Sequence, residues 1–187
     1  MSNELITHVL SFAASRRAKV LLIGDSSLSY DAIIRIHDYN KDEEGKFIIK
    51  VREDAEKVNR EAIIDLVVLA KVSNSTPIIV GIKYGDEEME DGVAYKTHGV
   101  YAMSIRTFKR ILDNDSIKFV KDKGIVKASV KGQLLRRLRE DRGMSLGDLA
   151  KLLGVTRRTV YEYERESIEA SERTARMLVN LFNDDVL

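Results

Sequence analysis

Two adjacent arginines, Arg157 and Arg158, stand in the polar segment TRRTVYEYER, residues 156–165. A guanidinium group can donate two hydrogen bonds at once, to O6 and N7 of a guanine in the major groove of DNA. The carboxylate of Glu162 can accept from N4 of cytosine, and the hydroxyl of Thr159 can bond to several bases. These four side chains are predicted to read base edges. The alternative is that both arginines bind only phosphates and confer no sequence preference.

Two short helices around a glycine are expected to present these residues. Ser145 and Asp148 form a Ser-x-x-Asp helix start, in which the hydroxyl accepts from a free amide and the acid faces the positive end of the helix. Gly154 can end that helix in the left-handed conformation. The leucines between them share one helical face: Leu149, Leu152 and Leu153.

The second helix is predicted to run from Thr156, its cap, to Tyr163. Val160 and Tyr163 are three residues apart and would point inward, so the polar residues would face outward. Two capped helices around a glycine turn are typical of the motif that places its second helix in the major groove. A helical hairpin that only packs, or that contacts protein, has the same pattern.

Residues 131–182 resemble the lambda-repressor/Cro-like (Xre-type) helix-turn-helix domains. The resemblance rests on LRRLREDRGMSLGDLAKLLGVTRRTVYEYER, residues 135–165. It implies a partly buried structural ion pair between Arg139 and Glu164. Two departures are Leu146, where many relatives have a glutamine that touches phosphate, and Glu166, where the family usually has glycine. The second departure predicts a different loop after the second helix.

The whole chain also resembles an archaeal group of Xre-type transcriptional regulators with an N-terminal α/β domain. The resemblance implies double-stranded DNA as the partner. Because one helix reads only a few base pairs, we expect a homodimer on a two-fold site with half-sites about 34 Å apart. Residues that fix the register on phosphates are predicted to be Ser145, Lys151, Thr156, Tyr161 and Arg165.

The composition of the chain argues against several other kinds of binding site and classes of protein. The chain has no cysteine and three scattered histidines, so neither a metal site nor a cofactor is predicted. The turn Gly24–Ser27 is not a P-loop. No apolar run reaches membrane-span length and the start lacks a signal-peptide pattern, so we expect a cytoplasmic, nucleoid-associated protein. The net charge is only +1, which does not by itself predict DNA binding.

Residues 1–116 are predicted to form an α/β domain with a mixed sheet and flanking helices. A β-hairpin connector, 117–130, would lead into an all-α helix-turn-helix domain, 131–187. In the first domain, helix 59–73 is so apolar that we expect it to be well buried. The predicted helices are 4–17, 59–73 and 107–112, the strands are 18–23, 30–37, 47–51, 77–82 and 99–105, and the loops are 39–45 and 86–92.

The order of these elements resembles the restriction-endonuclease-like fold shared with archaeal Holliday-junction resolvases. That fold implies an Asp on one strand and an acid-x-Lys on the next, so that the two carboxylates hold a divalent metal and the lysine supports the attacking water. Asp31 and Lys50 match two of the places, but Ile48 stands where the second acid belongs. We therefore expect no catalytic residues and no enzyme activity. The simpler alternative is a strand-edge acid and a solvated lysine.

The favoured function is that of a sequence-specific transcriptional regulator that binds double-stranded DNA. One alternative is a nuclease- or Holliday-junction-resolvase-like protein that is targeted to DNA by its helix-turn-helix. The other is an antitoxin-like module whose first domain binds a protein partner. By elimination, dimerisation or protein contact is the expected use of that domain.

Overall fold

The computed structural model describes residues 2–16, 18–22, 29–38 and 43–187. The chain forms two compact units, Met1–Ile117 (unit 1) and Lys118–Leu187 (unit 2). The turn Gly24–Ser27 and most of the predicted turn 39–45 lie outside the described residues. Within the described ranges, no helix is long and apolar enough to cross a bilayer.

Unit 1 is built around a mixed sheet, as the sequence predicted. Its strands are β1 (Lys19–Leu22), β2 (Ala32–Asp38), β3 (Glu43–Val51), β4 (Thr76–Gly81), β5 (Lys83–Tyr84), β6 (Glu87–Glu88), β7 (Val93–Thr97) and β8 (Val100–Ser104). Its helices are α1 (Ser2–Ser15), α2 (Arg60–Val72) and α3 (Ile105–Leu112). The sheet order in this unit is β1-β2-β3-β4-β8-β7, while β5 and β6 form a separate hairpin. Strands β3, β4 and β8 are parallel to one another, and the others pair antiparallel.

The helices cover the sheet on both faces. Val9 of α1 and Phe108 of α3 belong to one apolar cluster with Ile49 and Val51 of β3. Because side chains alternate along a strand, Ile48 and Lys50 point to the opposite face. Helix α2 contacts β3 and β4 and covers that second face. These layers confirm the predicted α/β class and place both faces of β3 under helices.

Three strand predictions were incomplete. The predicted loop 86–92 contains strand β6, which pairs with β5 in a short hairpin. Strand β7 was missed because its hairpin turn lacks the usual Asn-Gly or Asp-Gly signal. Instead His98 and Gly99 adopt φ values of 46° and 86°, as the central residues of a two-residue turn. Strand β3 begins at Glu43, inside the predicted loop 39–45, because its first residues pair with the end of β2.

The prediction that residues 59–73 are well buried was wrong for one face. Helix α2 buries Ile63, Leu66 and Ala70. Its other side exposes Ile64, Val68 and Val72, which are 51%, 53% and 83% accessible. These three side chains recur every four residues and form one stripe, called here the α2 stripe. Contiguous exposed apolar side chains mark surfaces that meet another molecule.

Unit 2 combines a helical core with a small antiparallel sheet. Its strands are β9 (Phe119–Asp122), β10 (Ile125–Ala128) and β11 (Ala170–Ser171), and its helices are α4 (Gly132–Asp141), α5 (Leu146–Leu153), α6 (Arg157–Glu164) and α7 (Glu172–Phe182). Strand β10 pairs with both β9 and β11. One apolar cluster joins Leu135, Leu149, Val160 and Leu178 of the four helices to Ala128 of β10.

Candidate nucleic-acid interface

Helix α5 begins at a complete capping box. The hydroxyl of Ser145 accepts from the amide of Asp148 at 3.1 Å, and the carboxylate of Asp148 accepts from the amide of Ser145 at 2.9 Å. The Ser145 hydroxyl and amide hold the pKa of Asp148 below its usual value. Gly154 ends the helix at φ 67°, as the sequence predicted. These bonds fix where α5 begins and ends, and hence the turn before α6.

Helix α6 begins immediately after that turn. The hydroxyl of Thr156 accepts from the amide of Thr159 at 3.1 Å, which confirms the predicted cap. Val160 and Tyr163 are buried, as expected. Arg157, Arg158 and Tyr161 are exposed and face away from the core of unit 2.

Helices α4 and α6 are joined by the ion pair that the family resemblance implied. Nε of Arg139 donates to Oε1 of Glu164, and Nη2 donates to Oε2 at 3.2 Å. Both side chains are over nine-tenths buried. The hydrogen bonds from Arg139 to Glu164 raise the pKa of the guanidinium further above its ordinary value. A third bond, from Nη1 to the carbonyl of Met144 at 2.8 Å, ties the pair to the entry of α5.

The loop after α6 keeps the shape that a glycine would give it, contrary to the prediction from Glu166. Glu166 adopts φ 55°. Its amide donates to Tyr163, and the Ser167 amide donates to Glu162, which is the Schellman pattern. The Glu166 side chain accepts from the amide of Gly132 at 2.9 Å. That bond gives glutamate a role at the start of α4 that glycine could not have.

Glycine is required at the start of α4 by a close approach. A Cβ on Gly132 would lie 2.3 Å from the carbonyl oxygen of Glu164 and 2.6 Å from that of Tyr163. Helix α4 therefore packs end-on against the last turn of α6, with backbone touching backbone. The sequence offered no signal for this contact beyond the glycine itself.

The four residues predicted to read bases differ in whether their side chains already form hydrogen bonds or ion pairs within the protein. Arg157 is exposed at the first turn of α6, and no hydrogen bond or ion pair engages its side chain among the described residues. Nε of Arg158 donates to Oε1 of Glu162 at 3.0 Å. The hydroxyl of Thr159 is 2.8 Å from that of Thr156. Of the two arginines of α6, Arg157 has a guanidinium that no described residue engages, whereas that of Arg158 is bound to Glu162.

The residues predicted to contact phosphate are all exposed. Ser145 and Thr156 are the caps of α5 and α6, and their hydroxyls already bond within the chain. Nη1 of Arg165 donates to the hydroxyl of Tyr161 at 3.2 Å, and its guanidinium lies 5.7 Å from the centre of that ring. Lys151 lies in the last turn of α5. The set therefore spans the ends of both helices.

Unit 1 brings Asp31 and Lys50 together in its interior. They are 3% and 2% exposed, and Nζ of Lys50 is 3.1 Å from Oδ1 of Asp31. The other carboxylate oxygen accepts from the amide of Val51 at 2.6 Å and lies 3.7 Å from Nη1 of Arg52. The alternative of a strand-edge acid and a solvated lysine was therefore wrong. The two places of the restriction-endonuclease-like pattern meet, as a buried ion pair.

The side chains around this pair do not suit a divalent metal. Ile48 shares the face of Lys50 and is 1% exposed, so the expected second carboxylate is replaced by a buried hydrocarbon. Both oxygens of Asp31 are already held by cations or an amide. In the part of the chain that the structure describes, no three His, Cys, Asp or Glu side chains are grouped to hold a metal ion.

Comparison with known families divides the chain in the same two parts. Residues 2–117 match the family described as a PD-(D/E)XK superfamily domain. Residues 135–183 match the family described as a helix-turn-helix. No solved structure matches the chain.

Similar proteins occur in archaea. A protein of Pyrobaculum aerophilum, named "Putative HTH-type transcriptional regulatory protein", is 39% identical over 186 residues, which cover 100% of this chain and 72% of the relative. Relatives with the same kind of name from Thermococcus gammatolerans and Saccharolobus islandicus are 36% and 34% identical. These two matches cover 74% and 75% of the chain but only 44% and 43% of the relatives. The chain thus spans less than half the length of those two proteins.

Proposed function

The chain belongs to this archaeal family of HTH-type transcriptional regulatory proteins, with an N-terminal domain of the PD-(D/E)XK superfamily, and from this premise we propose that it is a sequence-specific regulator that binds double-stranded DNA. The observation that carries the proposal is the unengaged Arg157 on the outward face of a helix capped at Thr156 and fixed to α4 by Arg139 and Glu164. In this proposal α6 enters the major groove.

We assign the first base contact to Arg157, because binding does not have to break an existing bond there. Arg158 and Glu162 would read bases only after exchanging their mutual hydrogen bond for bonds to DNA. Thr159 is a secondary reader for the same reason. The caps Ser145 and Thr156, together with Lys151, Tyr161 and Arg165, would hold phosphates on either side of the groove and set the register.

Arg157→Ala is expected to weaken binding to the preferred site by about 1–3 kcal/mol, because a bidentate guanine contact is lost. Arg158→Ala is expected to cost less, because its guanidinium must leave Glu162 first. The measurement is selection of bound fragments from genomic DNA, followed by titration of the recovered duplex with each variant.

Arg106→Ala is the control, since Arg106 is an exposed arginine of α3 in unit 1. It should bind as the wild type does. If wild-type protein and Arg157→Ala recover the same fragments with the same preference, α6 does not read sequence. The proposal of a specific regulator then fails.

We further propose that the regulator is a homodimer whose contact includes the α2 stripe. A single eight-residue helix reads too few base pairs to select one site in a genome, so a two-fold site is the simplest solution. Unit 1 offers Ile64, Val68 and Val72 as an exposed apolar surface that a second copy can cover. Because the proposed partner is genomic DNA, we also propose that the protein is located in the cytoplasm with the nucleoid.

Val68→Glu is expected to convert the dimer to a monomer, because a charge would be buried in the contact without a partner. Sedimentation equilibrium at micromolar concentration measures the change. Arg106→Glu places the same side chain on α3 and should leave the dimer intact. A wild-type protein that sediments as a monomer, or a Val68→Glu variant that remains dimeric, contradicts this assignment.

A hydrolytic role for unit 1 is not part of the proposal. The isoleucine at position 48 removes one metal-binding carboxylate, and the Asp31 carboxylate is already bound to Lys50 and the Val51 amide. We infer that the unit retains the framework of a PD-(D/E)XK domain and serves in assembly.

A further inference from the structure

The hairpin β9–β10 makes unit 2 more positively charged than its helical part is alone. Lys118–Leu187 carries fifteen lysines and arginines against eleven acids, a net charge of +4. Met1–Ile117 carries sixteen against nineteen, a net charge of −3. Residues 131–187 alone have a net charge of +1, so most of the excess of unit 2 comes from the four lysines and one aspartate of 118–130.

The hairpin is attached to the chain segment that follows α6. Lys127 and Ala128 of β10 pair with Ser171 and Ala170 of β11, six and five residues beyond Arg165. Ala128 is buried in the apolar cluster that also contains Val160 of α6. The hairpin is therefore a fixed extension of the helix-turn-helix unit.

The outer end of the hairpin presents cations. Asp122 pairs with Ile125, so Lys123 and Gly124 are the two central residues of the turn, with φ values of 49° and 81°. A lysine at positive φ is uncommon, and Asn or Gly would fit this turn with less strain. Lys123 and Lys127 are both exposed, and no described residue pairs with either side chain.

The geometry of a groove-bound helix explains what such cations would meet. A helix in the major groove is flanked at its ends by the two phosphate backbones, because the groove is about 12 Å wide. From Ala128 to Ile125 the strand advances by three residues, about 10 Å. This length, measured from the buried Ala128, is comparable to the width of the groove, so the turn of the hairpin can reach a phosphate backbone beside α6.

We propose, resting on the function proposed above, that the β9–β10 hairpin is a second DNA-contacting element, in which Lys123 and Lys127 bind phosphates next to the groove that α6 occupies. Lys127 also borders a groove lined by Glu166 and Glu169. The carboxylate of Glu166 already accepts a hydrogen bond from the amide of Gly132. Lys123 and Lys127 belong to the hairpin and are both exposed. The hairpin supplies affinity and register, and α6 supplies sequence preference.

The test compares the full-length wild type with the double variant Lys123→Asn/Lys127→Gln. Asparagine accepts positive φ, so the turn should survive the loss of charge. Lys19→Gln/Arg106→Gln removes two exposed cations from unit 1, away from α2, and is the matched control. Binding to the selected duplex and to a scrambled duplex is titrated at several salt concentrations, and thermal unfolding checks each fold.

The double variant is expected to bind both duplexes more weakly by the same factor. The slope of log affinity against log salt should fall by about 1–2, because each phosphate contact contributes about 0.9. An unchanged slope, or one lowered equally in the control, overturns the proposal. A loss confined to the selected duplex overturns the assignment to phosphate. If instead the wild type does not discriminate between duplexes, the proposed function fails, while the slope still tests the hairpin.

Discussion

Replacing Asp31 with alanine is expected to lower the free energy of unfolding of unit 1 by about 3–5 kcal/mol, the cost of breaking a buried ion pair on one side. The variant leaves the ammonium group of Lys50, 2% exposed, without the carboxylate to which it donates. It also removes the acceptor of the Val51 amide in the middle of the sheet. Both groups lie on β3, which is covered by helices on both faces, so water cannot readily replace the carboxylate.

Hydrogen exchange followed by mass spectrometry measures this loss where it occurs, because peptides from β2 and β3 report on unit 1 alone. Asp113→Asn is the control, since Asp113 forms a surface pair with Arg16 in the same unit and both side chains are over 40% exposed. Exchange in unit 1 should accelerate strongly for Asp31→Ala and little for the control.

The double variant Asp31→Ala/Lys50→Met decides whether the loss comes from the uncompensated charge. Because methionine fills the space of the lysine stem without a charge, the double variant should regain much of the stability lost by Asp31→Ala. If the double variant is as unstable as the sum of the two single variants, the ion pair is not the cause. Absence of Mg²⁺-dependent DNA cleavage by the wild type would agree with a structural role, whereas cleavage abolished by Asp31→Ala would contradict it.

Glu164→Ala is expected to destabilise unit 2 by about 3 kcal/mol, the lower end for a broken buried pair. The estimate is at the lower end because Arg139 keeps its bonds to the carbonyl of Met144 and to Glu140. The remaining guanidinium is buried between α4 and α6, where in the wild type it donates two hydrogen bonds to the carboxylate that neutralises it. Loosening that contact also frees the end of α6 from Gly132, so DNA binding should weaken although Glu164 contacts no base.

Urea unfolding and hydrogen exchange in α4 and α6 test this expectation. Asp141→Asn is the matched control, because Asp141 forms an exposed pair with Arg137 at 3.9 Å on the same helix α4. Stability and DNA affinity should fall together for Glu164→Ala and stay unchanged for the control. A variant that loses sequence preference at unchanged stability would assign Glu164 to DNA contact instead of structure.

The helix-turn-helix was predictable because its signals are local. The capping box at Ser145, the left-handed Gly154 and the cap at Thr156 each act within four residues. The loop after α6 was predicted incorrectly, since glutamate at position 166 suggested a different shape. The long-range bond from Gly132 to its carboxylate helps to hold the left-handed conformation that the sequence alone argued against.

Unit 1 shows that the residue pattern along a strand or helix does not predict which of its faces is covered. The order of elements and the positions of Asp31, Ile48 and Lys50 predicted the fold and the missing carboxylate. Whether the lysine was solvated or buried depended on which helix covers its face of β3. The same is true of α2, whose apolar residues were all assigned to the core, while the sheet can bury only one side of the helix.

The sequence by itself determined the two folds, the capped helix pair and the replacement of one metal-binding acid by Ile48, because these depend on residue type and short spacing. The tertiary structure alone decided that Asp31 and Lys50 meet as a buried ion pair and that Glu166 bonds to the amide of Gly132. It also decided that Lys123 and Lys127 belong to the same unit as α6. Partners in ion pairs and neighbouring strands are brought together by chain folding over tens of residues, and periodicity along the chain carries no record of those contacts.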